Sequence, residues 1–382
     1  MDPRLPEEHR ELLSMVTTFA EKEVAPGAAE GEANERFPRD VFEQLAELGL
    51  MGLPFPEDVG GGGLPYRTYL MVVEELSRAW LTVGLGLSVH TLATWGIEHH
   101  ATEAQRAELV PPMVAGRLLG AYSLSEPGSG SDAAALETRA VADGDVYRLD
   151  GTKAWVTHAG VADRYLVMAR TGEHGARGIS AFVVDADQQG LEFPRPEDKM
   201  GMRASTTGQL RLEDAPVPAD RLVGGAEGLG FEIAMAALDG GRLGIAAASV
   251  GLAQAALDEA LAYAKQREQF GRPVVEFQGV SFMLADMATG VEAARALYLS
   301  AADRRDAGEA TTRLAAMSKL LASDVAMQVT TDAVQVHGGY GYTREYAVER
   351  YMREAKVLQI VEGTNQIQRL VIGRHLAGGR AE

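Results

Sequence analysis

The hydrophobic period of this 382-residue chain changes twice, and that alternation restricts the fold more than any other feature. Up to about Gly116, apolar residues recur at helical spacing. Leu12, Val16 and Phe19 form one stripe, and Val41, Leu45 and Leu48 form another. A polar connection, GEANERFPRD, separates the two stripes. PEDVGGGGLPY then breaks the pattern, because a run of glycines cannot sustain a helix, and YRTYLMVVEELSRAW reads as a further helix. From Leu118 to about Gly225 the period falls to two. ETRAVADGDVYRLDGTKAWV alternates and carries Asp143-Gly144 and Asp150-Gly151, both hairpin signals, and RYLVMART, GISAFVVDAD and GQLRLEDAPVP read as strands. After Gly230 helical spacing returns over longer segments. Val250, Leu257, Leu261 and Ala264 share one face, as do Met287, Val291, Ala294 and Tyr298, and Leu314, Met317, Leu321 and Val325. The pattern predicts an α+β multidomain chain with an N-terminal α-helical domain (1–117), a central barrel- or sandwich-like β domain (118–228) and a C-terminal four-helix bundle (229–382).

Composition then removes several functions. With 46% hydrophobic residues the chain can bury a large core, and its formal net charge of -18 argues against binding nucleic acid or an anionic membrane. An acidic total still leaves room for a local basic pocket. Cysteine is absent, which rules out disulfides, thiolate nucleophiles and Cys-ligated zinc. MDPRLPEEHRELL lacks the layout of a signal peptide, and the most apolar stretch, WLTVGLGLSVHTLATW, is Gly-rich, carries His90 and is short for a bilayer span. A soluble, cytoplasmic protein is expected. His99 and His100 are adjacent and do not share a helix face, and no other spacing suggests a metal.

QIVEGTNQIQR places Glu362 between Leu358, Ile360 and Val361 on one side and Gly363, Thr364 and Asn365, the start of a new helix, on the other. A carboxylate at the edge of the interior either has a partner or is there for its raised basicity. AYSLSEPGSGSD combines Ser125, Ser129 and Ser131 with glycines that let backbone N–H groups approach a ligand, although such turns are usually only turns. No P-loop and no GxGxxG between strand and helix is present, so a nucleotide cofactor would need another kind of site.

YSLSEPGSGSD, KAWVTHAG, LDGGRLGIAAASVGLAQAAL, REQFGRPVVEFQ, QVHGGYGYTREYAVERYMREAK and IVEGTNQIQR occur in that order and together resemble the acyl-CoA dehydrogenases, over essentially the whole chain. The resemblance implies FAD as cofactor and oxidation of an acyl-CoA thioester to its trans-2-enoyl form, as in β-oxidation. It also implies an electron-transfer flavoprotein as acceptor and a homotetramer built as a dimer of dimers. Carried over residue by residue, it places Tyr122, Leu124, Ser125, Gly130 and Ser131 along the flavin, with Ser131 also on the CoA portion. Trp155 and Thr157 would cover a flavin face, and His158 departs from the asparagine common at that position. Arg267, Gln269 and Phe270, at the end of a long helix, with Gln278, would reach the FAD pyrophosphate across a subunit interface. Gln335, Val336, Gly338 and Gly339 would supply the neighbouring subunit's share.

The same resemblance gives Asp239 and Arg242 to CoA, places Thr364 and Gln366 toward the flavin, and makes Glu362 the base for the α-proton, with Gly363 leaving room for the thioester. Each assignment has a plainer counterpart: a core tryptophan, a capping arginine, a Gly-Gly helix end, an i,i+3 salt bridge. One branch of the family takes its base from the LDGGR neighbourhood, but here Gly240 and Gly241 stand beside Asp239. Val361 replaces the aromatic residue of many medium-chain relatives, which implies short or branched acyl groups. An oxidase on the same scaffold and a non-catalytic acyl-CoA-binding protein are the competing readings. Peroxide formation without an acceptor would reveal the first, and absence of a yellow chromophore the second.

Overall fold

A computed structural model describes residues 5–378. The first domain is helical. Helix α1 (Glu7–Phe19) passes through a π-helical turn into α2 (Ala25–Ala33), followed by α3 (Arg39–Glu47), α4 (Tyr66–Ala79), α5 (Leu81–His100) and α6 (Glu103–Val114). GEANERFPRD is not simply the polar connection its composition suggests, because its first residues complete α2. Glu32 within it is buried and accepts hydrogen bonds from Trp80 Nε1 (2.8 Å) and Thr82 Oγ1 (2.6 Å), and from the backbone N–H groups of Arg203 and Ala204. A buried carboxylate persists only with donors of this kind, and these tie the first domain to the second. ATEAQR starts α6 through a reciprocal cap: the Thr102 N–H donates to Gln105 Oε1 (2.9 Å) and the Gln105 N–H to Thr102 Oγ1 (3.3 Å).

The middle domain is a seven-stranded sheet of β1 (Gly120–Ser123), β2 (Arg139–Asp143), β3 (Val146–Thr157), β4 (Arg164–Arg170), β5 (Ile179–Asp185), β6 (Leu191–Glu192) and β7 (Thr207–Pro218). Its order is β1-β4-β2-β3-β7-β6, with β5 also on β4. Strand β1 runs parallel to β4, and β2 meets β4 in one parallel pair; the other pairings are antiparallel. Asp143-Gly144 forms the β2–β3 turn, as its sequence predicts. Asp150-Gly151 does not form one. It lies inside β3, where the register against β7 slips between Leu149 and Gly151, and Gly151 takes φ 149°. A second slip, between Lys153 and Val156, brackets Trp155 at φ 60°. Such bulges re-aim side chains, and this one leaves the Trp155 indole 64% exposed.

The last domain contains α7 (Gly230–Gln266), a small hairpin of β8 (Glu268–Gln269) and β9 (Arg272–Pro273), then α8 (Gln278–Asp306), α9 (Thr312–His337), α10 (Val348–Leu358) and α11 (Asn365–Leu376). Helix α7 is long and apolar enough to cross a bilayer, but 83% of its most apolar window is buried inside the protein, so it is the core helix. The stripe read on α9 is displaced. Leu314, Met317 and Val325 are only partly buried and Leu321 is exposed, whereas Ala315, Lys319, Ala322, Ala326 and Ala333 face inward. Small residues allow α9 to approach α7 closely, while Leu314 and Val325 pack at the margin of the core and Leu321 is left outside.

Candidate active site

Glu362 lies in the short link between α10 and α11. Thr364 caps α11 by accepting from the Ile367 N–H (3.3 Å). The two residues before the cap are both left-handed, Glu362 at φ 52° and Gly363 at φ 90°. That conformation is disfavoured for a glutamate and persists only where its surroundings impose it. Here Gln368 Nε2 donates to the carbonyls of Glu362 (3.2 Å) and Gly363 (2.8 Å), and Lys319 Nζ donates to Gly363 O (2.9 Å). The Val361 N–H closes on Val357 O and the Asn365 N–H on Gln359 O. The Glu362 N–H has no acceptor among the described residues.

Both carboxylate oxygens of Glu362 are buried and have no hydrogen-bond partner among the described residues. Burial pushes the group up to about 7, although Lys319 and Arg242 nearby pull it down. Its surroundings are small and neutral on one side: a Cβ on Gly241 of α7 would collide with Glu362 Oε2. On the same helix Arg242 Nη1 holds Asp239 Oδ1 at 2.7 Å, and Thr312 Oγ1 also donates to Asp239. Tyr66 donates to Gly240 O (3.0 Å), and burial raises its hydroxyl to about 12. Tyr122 on β1 donates to Ala234 O (3.2 Å), and burial together with the Glu362 charge raises its hydroxyl as well. The structure therefore brings Tyr122, Asp239, Arg242, Val361, Glu362 and Gly363 into one neighbourhood.

The SEPGSGSD loop is firmer than its composition suggests. It is built on a buried ion pair in which Lys153 Nζ donates to Glu126 Oε1 (2.8 Å) and Leu124 O (3.1 Å). Glu126 also accepts from the N–H groups of Glu137 (2.6 Å) and Thr138 (2.9 Å). The scaffold buries Leu124 and presents Ser125, Gly130 and Ser131 outward. Neither Glu126 nor Lys153 was legible as a support, since charged residues in a loop and a strand ordinarily read as solvated. His158 is buried at φ 69°, with Nδ1 at 3.1 Å from Gly120 O and its ring edge-on to Phe37 and Phe42. Burial lowers it to about 4, so it is neutral at pH 7.

A second group of residues lies around the ends of α7 and α9. Arg267, Gln269 and Phe270 do not continue α7, which ends at Gln266; they form its exposed hairpin, with Phe270 at φ 54° and 94% exposed. Gln278 opens α8, while Gln335 and Val336 close α9 and lead to Gly338 at φ 61°. The Arg267 guanidinium lies 5.7 Å from the Tyr340 ring centre, and Tyr263 stacks on His337 at 4.2 Å. The Arg267 and Gln335–Gly339 segments are thus neighbours within one chain, which corrects the expectation that they belong to different subunits. No atom comes within 4 Å of a Cβ placed on Gly130, Gly338 or Gly339, so their backbones are open to close approach by a ligand. Among the described residues no group of His, Asp and Glu is placed to hold a metal.

Three domain models of one family match in succession: the acyl-CoA dehydrogenase N-terminal domain over residues 6–117, the middle domain over 121–215 and the C-terminal domain over 228–377. The chain belongs to the acyl-CoA dehydrogenase family, whose members are FAD-dependent oxidoreductases. It is 46% identical over 374 residues to a short-chain-specific acyl-CoA dehydrogenase of Clostridium acetobutylicum, covering 97% of this chain and 98% of that one. It is 45% identical over 375 residues to the mitochondrial short-chain-specific acyl-CoA dehydrogenase of Bos taurus, covering 97% and 90%. Among solved structures, butyryl-CoA dehydrogenase from Megasphaera elsdenii superposes with a TM-score of 0.96 at 42% identity, covering 99% of this chain and 100% of that one. The open backbones of Gly130, Gly338 and Gly339 leave room for a cofactor's polar chain, and the outward-turned Trp155 indole offers a flat face to a ring system, so the residues present fit FAD.

Proposed function

We propose that the chain oxidises short acyl-CoA thioesters to trans-2-enoyl-CoA and passes the electrons to an electron-transfer flavoprotein, with Glu362 removing the α-proton. The observation that carries this reading is a buried carboxylate with no hydrogen-bond partner, raised to about 7 and set against a bare Gly241. An α-proton of a thioester is weakly acidic, and its base must have a pKa near the working pH and be stripped of water. Glu362 meets both conditions. Its uncommitted backbone N–H is a donor for the thioester oxygen as negative charge develops there. Asp239 and Arg242, fixed by their mutual bond and by Thr312, are placed to receive the CoA arm, with Ser131 on the exposed loop. FAD, when bound, supplies the acceptor for the β-hydride. Tyr122, Leu124, Ser125, Gly130, Trp155, Thr157, Thr364 and Gln366 are the residues of this chain that would hold it.

In the hairpin and the end of α9, Phe270, Gln335, Gly338 and Gly339 are exposed, which leaves them free to reach a cofactor carried by a second copy. That arrangement supports a homotetramer in which Arg267, Gln269, Phe270, Gln278 and the Gln335–Gly339 segment complete a neighbour's site.

Two features support a short acyl chain. A Cβ on Gly244 would overlap Ser88 Oγ, so α5 and α7 close on each other three residues past Gly241. The two curated relatives named above are short-chain-specific enzymes. The test is a series of butyryl-, isobutyryl-, octanoyl- and palmitoyl-CoA with an artificial electron acceptor. Butyryl-CoA should have the highest kcat/KM. Palmitoyl-CoA as the best substrate would overturn the chain-length reading, and no turnover with any thioester would overturn the activity.

A further inference from the structure

Lys319 is fully buried on α9, a position where its ammonium group must displace a large hydration energy. Its Nζ donates to two oxygens of the link that carries Glu362: Gly363 O at 2.9 Å and Asn365 Oδ1 at 2.9 Å. Asn365 is itself held, accepting from Ser323 Oγ (3.2 Å) and donating from Nδ2 to Asp324 Oδ1 (2.7 Å). Gln359 Nε2, at the other end of the link, donates to the same Asp324 oxygen (2.7 Å). The turn between α10 and α11 is therefore fastened to one stretch of α9, and the Lys319 bond closes directly on the peptide that follows the base.

A neutral amide could have made these bonds without burying a charge. The cation has a counter-charge that it does not touch. Glu362 is the largest attraction on Lys319, and Lys319 the largest on Glu362, yet neither oxygen of the carboxylate is hydrogen-bonded. Asp324, the other acid near Lys319, already binds Asn365, Gln359 and Arg369. The other groups that feel the Glu362 charge are Arg242 on α7, Tyr66 and Tyr69 on α4 and Tyr122 on β1, and the tyrosines stay neutral.

We infer that Lys319 is a positioning residue for the proton-abstracting step: it locks the left-handed Glu362–Gly363 turn from behind and, as a cation held off the carboxylate, favours the ionised form of the base while leaving its oxygens bare. The inference rests on Glu362 being the base. A carboxylate bonded directly to an ammonium would be held below the range in which it is basic enough. With Arg242 as its only nearby cation, the buried carboxylate would be protonated more of the time at neutral pH. Lys319 at a distance satisfies both needs.

Lys319→Met removes charge and bond, Lys319→Gln keeps a donor without the charge, and Lys319→Arg keeps the charge. Each is purified with FAD, and the pH profile of kcat/KM for butyryl-CoA is recorded alongside flavin content. The carboxylate infrared band that Glu362→Gln abolishes is titrated in parallel. The acidic limb in the native enzyme should lie near pH 7, and in both Met and Gln variants it should move up by about one unit, together with the infrared titration. The rate would then be about fivefold lower at pH 7 and largely recovered by pH 9. Lys319→Arg should leave the limb in place. If one neutral variant does not fold, the other carries the test. A rate loss equal at all pH values, with the limb and the infrared titration unmoved, would reduce Lys319 to a structural tie and overturn the inference. A limb near pH 7 that persists in Glu362→Gln would instead show that Glu362 is not the base, a separate failure.

Discussion

Replacing Glu362 by Gln should make the folded protein more stable at alkaline pH while removing its activity. The folded-state pKa of this carboxyl lies at about 7, above its ordinary 4.5, so folding disfavours its ionised form. A raised carboxyl contributes no penalty below its unfolded value, and stability is lost as pH rises through the folded one. Most of the loss therefore falls between pH 5 and pH 7. The full difference corresponds to about 3 kcal/mol, at 1.36 kcal/mol per pH unit. Gln has the same shape and no charge, so it recovers that amount less what Lys319 loses. With its counter-charge gone, Lys319, already lowered to about 8 by burial, is held less favourably. A net gain of about 1–2 kcal/mol at pH 8 is expected, and less than half of it at pH 5. In a chain of this length that is a rise in Tm of about 1–3 °C. Thermal melts of both proteins, at saturating FAD, at the two pH values, are the assay. An unchanged or lower Tm at pH 8, or an equal gain at both, would refute the burial argument.

Arg267→Ala should lose FAD on gel filtration and melt earlier, since cofactor and assembly stabilise one another by linkage; a stable monomer with stoichiometric FAD would contradict the shared site. Gly241→Ala places a methyl group against Glu362 Oε2, and flavin reduction by butyryl-CoA should fall by about 10²-fold, the scale for displacing a catalytic group by about 1 Å, with the fold intact by circular dichroism. Val361→Tyr places a ring beside Glu362, and if Val361 lines the acyl pocket the isobutyryl-to-butyryl ratio of kcat/KM should drop by about tenfold, as expected for one methyl group in an apolar pocket.

The order of helices and strands was legible because hydrophobic period is set by which face each element buries, and the motifs pointed to residues, among them Tyr122, Asp239, Arg242 and Glu362, that the fold brings close together. What sequence could not show lies in tertiary placement. Leu314, Met317, Leu321 and Val325 look like the inner stripe of α9, yet the alanine face is the buried one, because close approach to α7 favours small residues over large ones. Glu32, Lys153 and Lys319 read as ordinary surface charges until their distant partners are known. Asp150-Gly151 has hairpin composition, but β3 continues pairing with β7 on either side and absorbs it as a bulge. REQFGRP looked like the end of a helix, but the chain leaves α7 at Arg267 and turns back on itself as a hairpin.

The most direct measurement is anaerobic stopped-flow reduction of the flavin by butyryl-CoA in native enzyme and in Glu362→Gln, each with confirmed FAD content and ligand binding. If Glu362 is the base, the variant should bind the thioester normally and reduce its flavin about 10²–10⁴-fold more slowly, the scale for a lost general base. Reduction at close to the native rate would contradict the assignment.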